Sequence, residues 1–321
     1  MNRIIILTIL LSFSNASVMS WWTKSPIIKK YCKDSVRDNG KYKILSYPLS
    51  SYTQSSIVIT HRKDGAKLTK LSKMSGKLQW QKTLAIKPVA ITHNNKYIFV
   101  LTSHELYQHS AENGDLIQKI SFYSHSNIDK YARAQDLEIK DETLYVSLGS
   151  GGVNTYFFDD KSIIYVEKFS ANVNPDNNHR SYVSGLSLSP DKKQLLVAID
   201  NITLGHDKKA FEGFLIIDSE YLNIIETLPL KNNREVLGMP LVHWNFDNSF
   251  LVNNLNIFMG FSTKKKPRRR NVSPNKRFLK YSNGGRPLGR ILVEKSEIRY
   301  CELVGGAHKK HAIPAIMTYE P

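Results

Sequence analysis

The stretch Val89 to Phe122 constrains the fold more than any other, because it sets out four strand signals and three turns in a fixed order. Val89 to Thr92 is a short apolar run, His93 to Lys96 an Asn-rich turn, and Tyr97 to Thr102 a β-branched and aromatic run of buried-strand type. Ser103-His104 makes a tight connection, Glu105 to Ser110 alternates, Ala111 to Gly114 turns again, and Asp115 to Phe122 supplies the last strand. A chain built this way is all-β and local in its pairing.

The same order recurs. Ser56 to His61, Ala66 to Ser72 and Lys77 to Leu84 follow a first strand expected over Tyr42 to Leu49. Further units start at Asp136, Gly185, Pro240 and Asn271, and the clearer starts, near 89, 136, 185 and 240, lie roughly fifty residues apart. A four-strand unit repeated at that interval predicts a β-propeller, most simply of seven four-stranded blades, with six as the alternative. Ile313 to Tyr319 is expected to pair with N-terminal strands and close the ring, which would remove its exposed edges. A pair of β-sandwiches is the competing architecture, but no Greek-key spacing is visible. Helix signals are few: Ser126 to Gln135 could form a turn or two, and Trp21 to Asp38 shows no clean period and reads as a lead-in.

Between the third and fourth strands of the first unit, Gly76 permits a left-handed turn and Trp80, four residues on, can set a large ring between neighbouring units. Gly114 and Gln118 repeat those places. The Leu71 to Trp80 stretch resembles the repeat of quinoprotein-type propellers. Ser189-Pro190-Asp191-Lys192, followed by the strand Gln194 to Asp200, resembles the blade start of YVTN, TolB and WD40-type propellers. The resemblance implies a propeller and no quinone: the adjacent cysteine pair of that family is missing, so no cofactor is expected.

At the N-terminus a cationic start is followed by the apolar run Ile4 to Leu11 and small residues at Ser14 and Ala16. This is the layout of a signal peptide over residues 1–20, leaving a single propeller domain over 21–321 in a periplasmic or extracellular setting. Cys32 and Cys301 are the two cysteines; in an exported chain they read as one disulfide joining its start to its end, the other reading being two buried thiols. The formal charge of +17 favours anionic partners, which outside the cytosol means lipid head groups, lipopolysaccharide, acidic glycans or an acidic protein rather than nucleic acid.

Lys264, Lys265, Lys266, Arg268, Arg269 and Arg270, interrupted by Pro267, form a solvated basic segment and the candidate partner contact. Asp176, His179 and Arg180, in the polar stretch Asn172 to Arg180, are the candidate groups for a channel mouth. The histidines have no ligand-spaced neighbours, so no metal site and no catalytic set is expected. These readings converge on a monomeric binding or scaffolding module for a protein or an anionic surface. The alternative is a periplasmic hydrolase or lactonase-like enzyme working at the central channel.

Overall fold

The computed structural model of the 321-residue chain describes residues 22–34, 36–37, 43–44, 49–52, 55–62, 65–72, 75–122, 132–170, 182–200, 211, 213–229, 241–244, 249–253, 258–262, 270–271, 286–294, 297–304 and 311–318. A helical turn over residues 22–24 leads into helix α1 (Pro26–Asp34), and the ribbon β1 (Val36–Arg37) and β2 (Lys43–Ile44) follows. Ser25 starts the helix: its Oγ lies 3.4 Å from the Ile28 amide as acceptor, and Pro26 follows with its φ already near the helical value.

Six antiparallel sheets follow among the described residues, each built from strands consecutive in sequence. The first holds β3 (Leu49–Tyr52), β4 (Ser55–Arg62), β5 (Gly65–Ser72) and β6 (Leu78–Leu84). The second holds β7 (Ala90–His93), β8 (Tyr97–Leu101), β9 (Glu105–Ser110) and β10 (Leu116–Ser121). In the third are β11 (Asp136–Lys140), β12 (Thr143–Ser147), β13 (Val153–Phe158) and β14 (Ile163–Phe169). The fourth contains β15 (Tyr182–Leu188), β16 (Gln194–Asp200), β17 (Gly213–Asp218) and β18 (Ile224–Pro229). The fifth contains β19 (Leu241–Trp244), β20 (Ser249–Asn253), β21 (Phe258–Ser262) and β22 (Arg270–Asn271). The last has three strands, β23 (Arg286–Glu294), β24 (Glu297–Val304) and β25 (His311–Thr318).

The core lies between sheets and explains why the second strands read as unbroken apolar runs. In β8, Ile98 and Val100 pack with Ile57, Ile59 and Leu68 of the first sheet, whereas Tyr97, Phe99 and Leu101 pack with Leu144, Val146 and Phe158 of the third. In β16 the same division sends Leu195, Val197 and Ile199 towards Tyr145 and Val153, and Leu196 and Ala198 towards Val242, Trp244 and Phe250. A strand sandwiched on both faces needs no polar alternation.

The first strands of successive sheets pack side by side in the order β3, β7, β11, β15, β19. β23 lies against β20 of the fifth sheet and against β3 of the first. The N-terminal segment meets the other end of the chain through α1, which lies on β25, and through a disulfide between Cys32 and Cys301 of β24, with the two Cα atoms 5.3 Å apart.

Three expectations change. The first sheet begins at Leu49, not over Tyr42 to Leu49. Asn271, expected to open the last unit, ends the fifth sheet as part of β22, and the last sheet is drawn from Arg286 onward. Among the described residues the C-terminal run pairs with β24, from Glu297↔Thr318 to Val304↔His311, and with no N-terminal strand. Its Pro314, which cannot donate a ladder hydrogen bond, suits the outermost place it takes in that sheet. The lead-in holds a helix because Ile28, Tyr31 and Cys32 share one face and are buried, while Lys29, Lys30 and Lys33 do not share it.

Candidate interaction surfaces

The two loop candidates fall outside the described residues: Asp176, His179 and Arg180 belong to the connection from β14 to β15, and Lys264 to Arg269 to the connection from β21 to β22. Arg270 is the first residue of β22. Two connections nevertheless meet the described strands at paired residues. Tyr182, where the 171–181 connection finishes, pairs with Asp200, where the insertion beginning at Asn201 departs. That end of the third and fourth sheets also carries the Gly149-Ser150-Gly151-Gly152 turn, whose Gly149 carbonyl accepts from the Val183 amide at 3.0 Å. Gly149 has φ +58°, and a Cβ there would stand 2.5 Å from the Tyr182 ring, so the contact requires glycine. The Tyr182 hydroxyl in turn accepts from Gln135 Nε2 at 2.6 Å.

At the opposite end, one device joins successive sheets. In the second, third and fourth sheets the first residue after the third strand offers its carbonyl to a side chain of the preceding sheet. Lys70 Nζ donates to the Ala111 carbonyl at 2.7 Å, Gln108 Nε2 to the Asp159 carbonyl at 2.9 Å, and the Tyr145 hydroxyl to the Ser219 carbonyl at 2.5 Å. Lys70 and Gln108 hold the same place, two residues before the end of the third strand, and face Trp80 and Gln118 across the ladder. In the third sheet that place belongs to Tyr156, and the donor comes instead from β12.

Charged pairs reinforce these junctions from the solvent side. Lys82 meets Asp115 at 2.7 Å between the first two sheets, and Lys96 meets Asp160 at 2.7 Å between the second and third. The Tyr97 hydroxyl also donates to Asp160. Both bonds hold the Asp160 carboxyl below its ordinary range, that to Lys96 contributing most. Burial pushes the Tyr145 hydroxyl up to about 12, so it stays a donor throughout the accessible pH range. Between the third and fourth sheets Lys140 Nζ reaches Ser219 Oγ at 3.0 Å, and Ser219 Oγ donates to the Lys192 carbonyl at 2.8 Å. The inner strands are tied too: buried Asp136 of β11 accepts the Leu186 amide of β15 at 3.1 Å, and Ser187 accepts the Trp244 amide at 2.9 Å.

Gly76 and Gly114 adopt φ +65° and +78°, the left-handed turn expected for them. Trp80 lies over Gly114 of the next sheet, as its place in the repeat predicts. The carbonyl junctions were not foreseen. Lys70 and Gln108 are ordinary polar residues in sequence, and only their shared distance from the strand end could have marked them. Among the described residues, no group of His, Cys, Asp or Glu could hold a metal ion, and no helix is long and apolar enough to cross a membrane.

No family model and no curated protein matches the chain. Solved structures match it in fold. Hydrazine synthase from Kuenenia stuttgartiensis aligns at 12% identity over 83% of this chain and 80% of that one, with a TM-score of 0.51. The Cps50 (Swd1) β-propeller domain of Myceliophteria thermophila aligns at 10% identity over 86% of each chain, with a TM-score of 0.52. BamB from Moraxella catarrhalis aligns at 10% identity over 85% and 84%, with a TM-score of 0.47. At such identities the shared property is the fold: the chain is a β-propeller repeat protein.

Proposed function

We propose that this chain is an exported propeller that serves as a binding or scaffolding module, meeting an anionic partner through Lys264 to Arg270. The charge carries the reading: a formal +17, with six basic residues gathered in one short connection around Pro267. The described hydrogen-bonding groups at the sheet junctions serve to assemble the ring, which suits a rigid platform. Export is supported by the disulfide between buried Cys32 and Cys301, a bond that persists in an oxidising compartment, together with the signal-like sequence of residues 1–20. The six described sheets, with β23 beside β3, support a reading of six blades, the alternative to seven.

The test compares the mature protein with a variant in which the six basic residues are replaced by Gln. Sedimentation with vesicles containing phosphatidylglycerol, and capture on an immobilised acidic polypeptide, should both weaken strongly in the variant and weaken with salt in the parent. Equal binding by both proteins would dismiss the basic segment as the contact. Cell fractionation finding full-length, unprocessed chain in the cytosol would dismiss export.

A further inference from the structure

Every large apolar side chain exposed among the described residues lies in one part of the fold. They are on the outermost strands of the first four sheets, on the turns leading into those strands, or, for Phe157, directly across the ladder from Ile164. The row is strongest over three consecutive sheets, with Leu116 and Ile117 on β10, Ile164, Tyr165 and Val166 on β14, and Ile224 and Ile225 on β18. Ile164, Val166 and Ile225 are 54%, 55% and 52% exposed, far from the burial such side chains normally find. All stand early in their strands, just past the turn from the third strand, so they share one level around the outside of the ring. Exposed apolar side chains repeated at one level on three neighbouring sheets mark an interaction surface.

Each of these outer strands also carries a register shift. Ile117, Ile225 and, one ladder step further along, Val166 are extra residues opposite no partner in the ladder. An interrupted edge is a poor template for adding a further strand. A partner on this row therefore meets side chains and not a continuous backbone edge, which is what the apolar face of a helix provides.

The charge beside the row selects the partner. On a chain of net +17, the turns at this end of the second, third and fourth sheets are acidic, whereas the matching connections of the first and fifth sheets are basic in sequence. The second sheet places Glu112 and Asp115 there against Lys96, and the third has Asp141, Glu142, Asp159 and Asp160 against Lys161. The fourth adds Asp191, Asp218 and Glu220 against Lys192 and Lys193. Lys82, Lys96 and Lys192 are engaged with Asp115, Asp160 and Asp141, while no described ion pair opposes Glu112, Glu142 or Glu220. Backbone amides hold Asp159 and Asp218 ionised, since the Lys161 and Ser162 amides donate to the first, and the Glu220 and Tyr221 amides to the second.

We infer that the apolar row on β10, β14 and β18, with its acidic turns, is a docking surface for a basic amphipathic helix of a partner protein. The Lys264 to Arg270 segment belongs to the connection from β21 into β22 of the next sheet and has the opposite charge preference, so substitutions in each tell the two contacts apart. Fluorescence anisotropy of the full-length mature protein tests it with a synthetic helix carrying Leu on one face and Lys on the other, and with the same peptide carrying Glu in place of Lys. The Leu/Lys helix should bind despite the net positive charge of the protein. Binding should weaken at least tenfold in the pair Ile164→Ser and Val166→Ser, and again in the pair Glu112→Lys and Glu220→Lys. Neutralising Lys264 to Arg270 should leave it unchanged or tighter. Affinities unaltered by both pairs would overturn the inference, as would a Leu/Glu helix that binds more tightly than the Leu/Lys helix and loses affinity with Ile164→Ser and Val166→Ser. Light scattering that showed the parent to be a dimer dissolved by those two serines would overturn it in favour of a second copy of the chain. Circular dichroism of the exposed-site variants, expected to match the parent, separates lost binding from lost folding.

Discussion

Gly114 sits at φ +78° beneath the Trp80 ring, where an added Cβ would fall 2.8 Å from a ring carbon and 2.9 Å from Lys82 Cγ. Gly114→Ala therefore combines an unfavourable backbone conformation with a clash at a sheet junction, and should lower stability by about 1–3 kcal/mol in urea titration. The neighbouring His109 gives a pH dependence. It is buried, with Nδ1 donating to the Gly114 carbonyl at 3.1 Å, and burial lowers its pKa from 6.5 against the opposing pull of that carbonyl and Asp115. The unfolded chain then takes up the proton at a higher pH than the folded one. The contribution is fully present above about pH 6.5 and is lost as the pH falls through the depressed folded value. The unfolding midpoint should thus fall between pH 7 and pH 5 more steeply in the parent than in His109→Leu. At this scale the sequence was informative where geometry demands a residue type. Gly76, Gly114 and Trp80 could be placed from their spacing, whereas nothing local marks His109 as buried, because its burial depends on the sheet next to it.

At the scale of elements, the ladder could be followed through β7 to β18, since β-branched runs and Asn, Asp and Gly turns alternate there with little interruption. It was lost where the signals are mixed. Helix α1 was missed although Ser25-Pro26 announces its start, because a nine-residue helix leaves too few turns to establish a period. The last sheet was misdrawn because Asn271-Val272-Ser273-Pro274 imitates the Ser189-Pro190 strand start, and turn chemistry alone does not say which sheet a strand joins. The carbonyl junctions give this scale its prediction. Tyr145→Phe removes the donor to a buried turn and should cost about 0.5–1.5 kcal/mol. Gln108→Ala, which also removes the acceptor 2.6 Å from Gln118 Nε2, should cost about 1–3 kcal/mol. The two substitutions act on different junctions and should add within about 0.5 kcal/mol in thermal or urea unfolding, whereas strong coupling would mean that the junctions yield together.

For the whole molecule, the pairing of Cys32 with Cys301 could be suggested from sequence only as one of two readings, since two cysteines carry no pattern of their own. What could not be read was its setting, a short helix lying on the last sheet. Cys32→Ser with Cys301→Ser should lower stability by about 2–5 kcal/mol, and a reductant should destabilise the parent towards the variant while leaving the variant unchanged. The sequence separation of 269 residues gives that bond a mechanical meaning. Tension applied to the two ends of the chain runs through helix α1, across the two sulfurs and out along β24, so the intervening sheets lie off the line of force. Pulled in an optical trap, the oxidised protein should yield only its short tails, and the enclosed chain, about 900 Å at full extension, should pay out only after a reductant is added.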